Sequence, residues 1–187
     1  MIPRVQWHRI ATLIATALWL ATAGAAPALA SGTQSGANGV ASATVIRPLG
    51  VIALTDMDFG TITHAPGAGG TVTVSPGVAG ATFGGNAGAV CAGADCALPH
   101  AAGFAVSGEP LRNYSVQLPA TITAHAAGGA PALNVGTLTM RFVSGGTGPR
   151  LDQTGTDHFD VGGTITLPAD LPAARYRASF VVVVSYI

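Results

Sequence analysis

Apolar and polar positions alternate along much of this chain with the period of two that marks extended strands, and no window shows the three-and-four spacing of an amphipathic helix. The clearest case closes the chain. In residues 176–187 (YRASFVVVVSYI), Phe180, Val182, Val184 and Tyr186 fall on one side and Val181, Val183 and Ile187 on the other. With both faces apolar, the stretch reads as a central or covered strand. Residues 135–143 (VGTLTMRFV) read as a long strand with Val135, Thr137 and Thr139 on one side and Leu138, Met140 and Phe142 facing the core. Shorter strands are predicted at 57–62, 71–75, 102–107, 114–118 and 120–124, with a weak one around 81–83. A run over 44–54 is interrupted at Pro48 and Gly50, which makes it an edge or a kinked pair of strands. Residues 159–161 and 164–167 read as the two arms of a hairpin turning at Gly162-Gly163. The pattern predicts an all-β fold, a β-sandwich of about nine to eleven short strands joined by Gly- and Pro-rich turns.

The start of the chain departs from this pattern. Arg4, His8 and Arg9 precede an apolar run over 10–26, and Ala28-Leu29-Ala30 places small residues where a signal peptidase reads. Residues 1–30 are therefore expected to be a cleaved signal peptide; the alternative is an uncleaved membrane anchor. No later stretch is long enough to span a membrane. Residues 31–42 (SGTQSGANGVAS) form a Gly- and Ser-rich flexible leader, and 43–187 a single domain. The expected location is secreted or cell-surface, reached through the periplasm.

Charge narrows the classes of partner. The sequence holds no lysine, and after the signal its only cations are Arg47, Arg112, Arg141, Arg150, Arg175 and Arg177. Without a basic cluster to meet phosphates, nucleic acid is not an expected partner. Trp7 and Trp19 both lie in the signal, which leaves Tyr and Phe as the only aromatic faces for a sugar.

The order of ATVIRPL, LTDMDFGTI, GTVTVSP and FAVSGEPLRNYSVQLP, followed by residues 161–187 closing on a strand, resembles an exported bacterial family catalogued as domain of unknown function 4402. The resemblance covers essentially the whole chain after the signal. It is most specific over 106–119, where a Gly-Glu-Pro turn precedes Tyr-Ser and Leu-Pro. The family's usual Gly-Thr-Tyr-Thr-Gly turn before the last strand is here Ala174-Arg175-Tyr176-Arg177-Ala178, which keeps only the Tyr. That family is in turn similar to spore coat protein U and chaperone-usher pilin subunits. This implies an immunoglobulin-like sandwich, a homo-polymer or pilus partner reached by strand exchange, and a periplasmic chaperone. Phe180, Val182, Val184 and Tyr186 would form the assembly strand. The leader offers few apolar residues for a donor strand, and residues 44–47 are the only candidates.

Candidate chemistry is sparse. Cys91 and Cys96, in CAGADC, suit a local disulfide in an oxidising compartment better than a redox pair, since neither is flanked by His or a basic residue. Two spare thiols are the plainer alternative. His64, His100, His125 and His158 are scattered, and no metal or nucleophile motif is present. Asp152, Asp157 and Asp160 are calcium candidates, with Asp56 and Asp58 as a second cluster. Their spacing matches no EF-hand, and solvated Asp turns explain them more simply. No cofactor is expected. The reading is a structural cell-surface subunit, fimbria-like and without catalytic activity; the alternative is a monomeric exported binding module dependent on calcium or a glycan.

Overall fold

The computed structural model describes residues 36–90, 98–143 and 148–187. It contains twelve strands and, among the described residues, no helix: β1 (Gly50–Thr55), β2 (Ile62–His64), β3 (Gly70–Val74), β4 (Ala81–Gly85), β5 (Ala87–Ala89), β6 (Ala102–Ser107), β7 (Tyr114–Gln117), β8 (Ile122–Ala126), β9 (Leu133–Phe142), β10 (Thr156–Leu167), β11 (Tyr176–Arg177) and β12 (Val183–Tyr186). The chain divides into two units, Met1–Ala43 and Thr44–Ile187. All twelve strands belong to the second.

β10 is the strand on which the others are built. One of its edges pairs with β9. The other pairs with β6 from Thr156 to Val161 and with β3 from Gly163 to Leu167. The main sheet runs β1-β6-β10-β9-β8-β11, and β3 and β4 join it beside the second half of β10. Gly162 stands at the fork where β6 gives way to β3. A Cβ there would strike the Val74 carbonyl oxygen and Pro76. The hairpin expected at Gly162-Gly163 does not form; the strand passes straight through for 12 residues. These glycines serve close approach of neighbouring backbone, not a turn.

Gly163 has a further reason to be glycine. Between the pairs Gly162↔Thr139 and Thr164↔Gly136, β9 sets Thr137 and Leu138 against Gly163 alone. This is a β-bulge, with Thr137 in the left-handed region at φ 48°. The extra residue resets the alternation of β9, so Val135 and Leu138 both reach the same core cluster. The expectation that they lie on opposite faces is corrected by this one residue. With two inward side chains opposite one position, a Cβ on Gly163 would lie 2.8 Å from Leu138 Cδ2 and 3.0 Å from Val135 Cγ1. Met140, expected in the core, is exposed.

The buried residues form two clusters. One gathers Val72, Ile122, Leu133, Val135, Ile165 and Leu167 beside the second half of β10. The other gathers Ala102, Val106, Tyr114, Leu151, Phe159 and Val161 beside its first half. Phe180 and Met57 pack against both. β12 pairs with β7 as a separate two-stranded sheet, and Tyr114, Val116, Val184 and Tyr186 lay it over the second cluster. The arrangement is all β and sandwich-like, as the alternation implies.

The C-terminal stretch is not one covered strand. β11 pairs with β8 at Tyr176–Arg177, the chain then runs without strand pairing to Val182, and β12 pairs with β7. Phe180, Val182, Val184 and Tyr186 pack into the core, but Val181, Val183 and Ile187 are exposed. One apolar face is covered and the other is not. At the other end, the run expected over 44–54 becomes strand only at Gly50, past Pro48, which has no N–H for a ladder. The strand expected at 57–62 is reduced to an isolated bridge of Asp58 with His100, and the pairing segment is β2, matched to β5. β5 lies in a Gly- and Ala-rich stretch whose small side chains carry no alternation signal.

Candidate functional site

The three aspartates proposed for calcium are used separately. Asp152 closes its own turn: Oδ1 accepts from Thr154 N–H at 2.8 Å, Thr154 Oγ1 at 2.7 Å and Thr156 N–H at 2.9 Å, and Oδ2 accepts from Thr156 Oγ1 at 3.2 Å. The Thr156 N–H above all, then the Thr154 hydroxyl, hold this carboxyl below the usual range, at about 2. Asp157 faces inward, 2% exposed, and its Oδ2 accepts the Tyr114 hydroxyl at 2.9 Å. Its Oδ1 accepts His158 N–H at 2.7 Å. Asp160 lies half-buried across from Gly103 and Arg141. Among the described residues no three His, Cys, Asp or Glu side chains stand where they could hold one metal ion.

The other polar candidates are similarly local. Asp58 Oδ1 accepts Gly60 N–H at 2.7 Å, an Asx turn. His64 ring nitrogens lie 3.1 Å from the Ala65 carbonyl and 3.3 Å from that of Leu171, and His100 Nδ1 lies 3.3 Å from the Ala101 carbonyl. Cys91 and Cys96 lie outside the described residues. A shallow cleft of about 120 Å³ between β3 and β4 is lined by Thr73, Ser75, Val78, Ala81 and Thr82 without a titratable side chain. Among the described residues no helix is long and apolar enough to cross a membrane.

Two features escape a reading of single strands. The first is the buried Tyr114–Asp157 pair. Burial, and then Asp157 itself, push the Tyr114 phenol far above its ordinary value, so that it serves as a hydrogen-bond donor. Its signal was an Asp at the same phase as Phe159 and Val161, visible only if the strand is begun at Thr156. The second is the penultimate Tyr186. Its ring packs in the core, and its hydroxyl accepts Glu109 N–H at 2.6 Å and donates to the Arg47 carbonyl at 2.9 Å. The sequence marks Tyr186 only as an apolar position in an alternating strand.

The structure's remaining resource is its edges. Among the described residues β1 ends the main sheet and pairs only with β6, and β12 pairs only with β7. Val51 of β1 and Val184 of β12 contribute to the same cluster, and both are only partly buried. Ile52 and Leu54 on β1, and Val183 on β12 with Val181 and Ile187 beside it, are exposed.

Fold and edges together define an all-β, sandwich-like domain with open edges and, among its described residues, no cluster of three His, Cys, Asp or Glu that could hold a metal ion. Residues 49–186 match the family described as Domain of unknown function (DUF4402), and the chain belongs to that family. No curated protein and no solved structure matches it.

Proposed function

We propose that this chain is an exported structural subunit of the cell surface, without catalytic activity, which joins neighbouring copies by pairing a strand across its open edges. The observation that carries the reading is the state of β1 and β12: among the described residues each has one edge without a strand partner, and each bears exposed apolar residues. Such an edge is a liability in a secreted protein unless another strand covers it. A segment that could supply the strand is at hand. Residues 44–49 pair with no strand among the described residues, and Val45 is 96% exposed. Residues 1–30 serve as the export signal in this reading, Cys91 and Cys96 form a local disulfide, and a periplasmic chaperone covers the open edges before assembly.

The test is an unboiled gel, with negative-stain microscopy, of material sheared from cells that express the full chain. A heat-sensitive ladder with filaments, lost when the exported chain is truncated to begin at Pro48, is the expected result. A single monomer band without filaments, from cells that export the protein normally, would overturn the reading.

A further inference from the structure

The chain leads into β1 through Arg47, and this residue is held at three points. Its carbonyl oxygen accepts the Tyr186 hydroxyl at 2.9 Å, its N–H donates to Glu109 Oε2 at 3.0 Å, and its Nη1 reaches the Gly108 carbonyl at 3.4 Å. The Tyr186 hydroxyl also accepts Glu109 N–H at 2.6 Å. One oxygen, acting as donor and acceptor at once, thus ties the C-terminal strand to the root of the N-terminal segment and to the turn after β6. The packing leaves little slack: a Cβ on Gly108 would strike the Tyr186 hydroxyl, and one on Gly155 would strike the Gly108 carbonyl oxygen. Gly108 N–H donates to the Gly155 carbonyl at 2.8 Å, which adds the turn before β10 to the same knot.

We propose that Tyr186 and Glu109 form a latch that closes one end of the open edges of β1 and β12. The latch rests on the strand-pairing reading for its purpose. A strand that pairs along the free edge of β12 must run up to Tyr186, so the latch sets where pairing stops and how readily the first strand parts from the last. Because the Tyr186 ring lies in the core with Val184, the hydroxyl can be removed while the packing is kept.

The experiment compares Tyr186→Phe and Arg47→Ala with the parent chain by amide hydrogen exchange on purified monomer. In Tyr186→Phe the Glu109 amide exchanges about tenfold faster, the size expected for one lost hydrogen bond. The Arg47 amide, bonded to Glu109 Oε2, loses protection with it, while Tyr114 and Phe159 amides are unchanged. Arg47→Ala keeps both main-chain bonds and leaves the Glu109 amide protected. Equal Glu109 exchange in Tyr186→Phe and the parent overturns the latch. The ladder on unboiled gels then reads its purpose: Tyr186→Phe assembles faster, and an unchanged rate with the amides opened overturns the gating role. Monomer alone from every variant refutes strand pairing instead, and the amide comparison still decides the latch.

Discussion

Replacing Tyr114 by Phe isolates the one fully buried side-chain hydrogen bond among the described residues, that to Asp157. The ring is fully buried and meets Phe142 edge-on, with centroids 6.2 Å apart, so Phe keeps the packing. Only the hydroxyl is lost. Asp157, 2% exposed, is left among the described residues with the His158 N–H as its sole donor. A hydrogen bond to a charged group contributes about 1.5–3 kcal/mol, and the orphaned partner makes this the appropriate range. For a domain of this size that loss lowers Tm by roughly 5–9 °C. Urea unfolding followed by circular dichroism reads it directly. Alkaline pH supplies an internal check. The folded phenol titrates above its unfolded value near 10, so its contribution is complete below about pH 10 and is lost as pH rises beyond it. The loss runs at roughly 1.4 kcal/mol per pH unit. The gap between the parent and Tyr114→Phe should therefore close at roughly pH 11–12. A gap below about 0.5 kcal/mol at pH 7, within the range of an ordinary surface change, or one that widens with pH, would refute the reasoning.

Three further outcomes test the fold. Gly162→Ala, which drives a Cβ into the Val74 carbonyl, should cost about 2 kcal/mol or more in urea titrations, whereas Gly136→Ala, with open space around it, should be neutral or slightly stabilising. Thr137 occupies the bulge position that glycine normally takes, at φ 48°, so Thr137→Gly should stabilise by about 1 kcal/mol; a loss of stability would mean that the bulge is held by the Thr side chain. Asp152 titrates at about 2 in the fold, below its unfolded value, so the stability it adds is present above about pH 4 and is lost as pH falls through about 2. Asp152→Asn keeps an acceptor but does not titrate, and should flatten that part of the acid unfolding curve.

What was legible in the sequence was alternation, and what was hidden was everything that interrupts or shares it. β3 and β6 were readable to within a residue because each is a short uninterrupted run of period two. β10 was not, because Gly162-Gly163 has the composition of a turn while serving as the site where β9 bulges and β3 replaces β6. Composition alone cannot separate a glycine that turns the chain from one that lets another chain come close. β9 was assigned correctly as a strand, and Leu138 and Phe142 reach the core as expected; Val135 was misread, because the one-residue bulge brings it to the same side as Leu138, and Met140 is exposed. Of the candidate site, Phe180, Val182, Val184 and Tyr186 were legible as one face of a strand. The latch was not: its partners Arg47, Glu109 and Tyr186 are far apart in sequence, and two of its bonds use main-chain atoms of Arg47.

The uncovered face of β12 yields the last prediction. Apolar character on both faces ordinarily marks a covered strand, yet Val181, Val183 and Ile187 face outward beside a Ser115–Ser185 hydroxyl contact of 2.8 Å. Native proteins usually protect such an edge with charge, lysine above all. This chain contains no lysine, and no charged residue lies between Arg177 and its end. In the proposed reading this uncharged edge, which among the described residues pairs with β7 on one side and with no strand on the other, is one through which the subunits join. Val183 is half exposed and absent from both core clusters. Val183→Lys should therefore change folding stability by no more than about 0.5 kcal/mol, as a surface substitution does, while it removes the heat-sensitive ladder. If Val183→Lys folds normally and still assembles, β12 is not the edge through which the subunits join, and β1 takes its place.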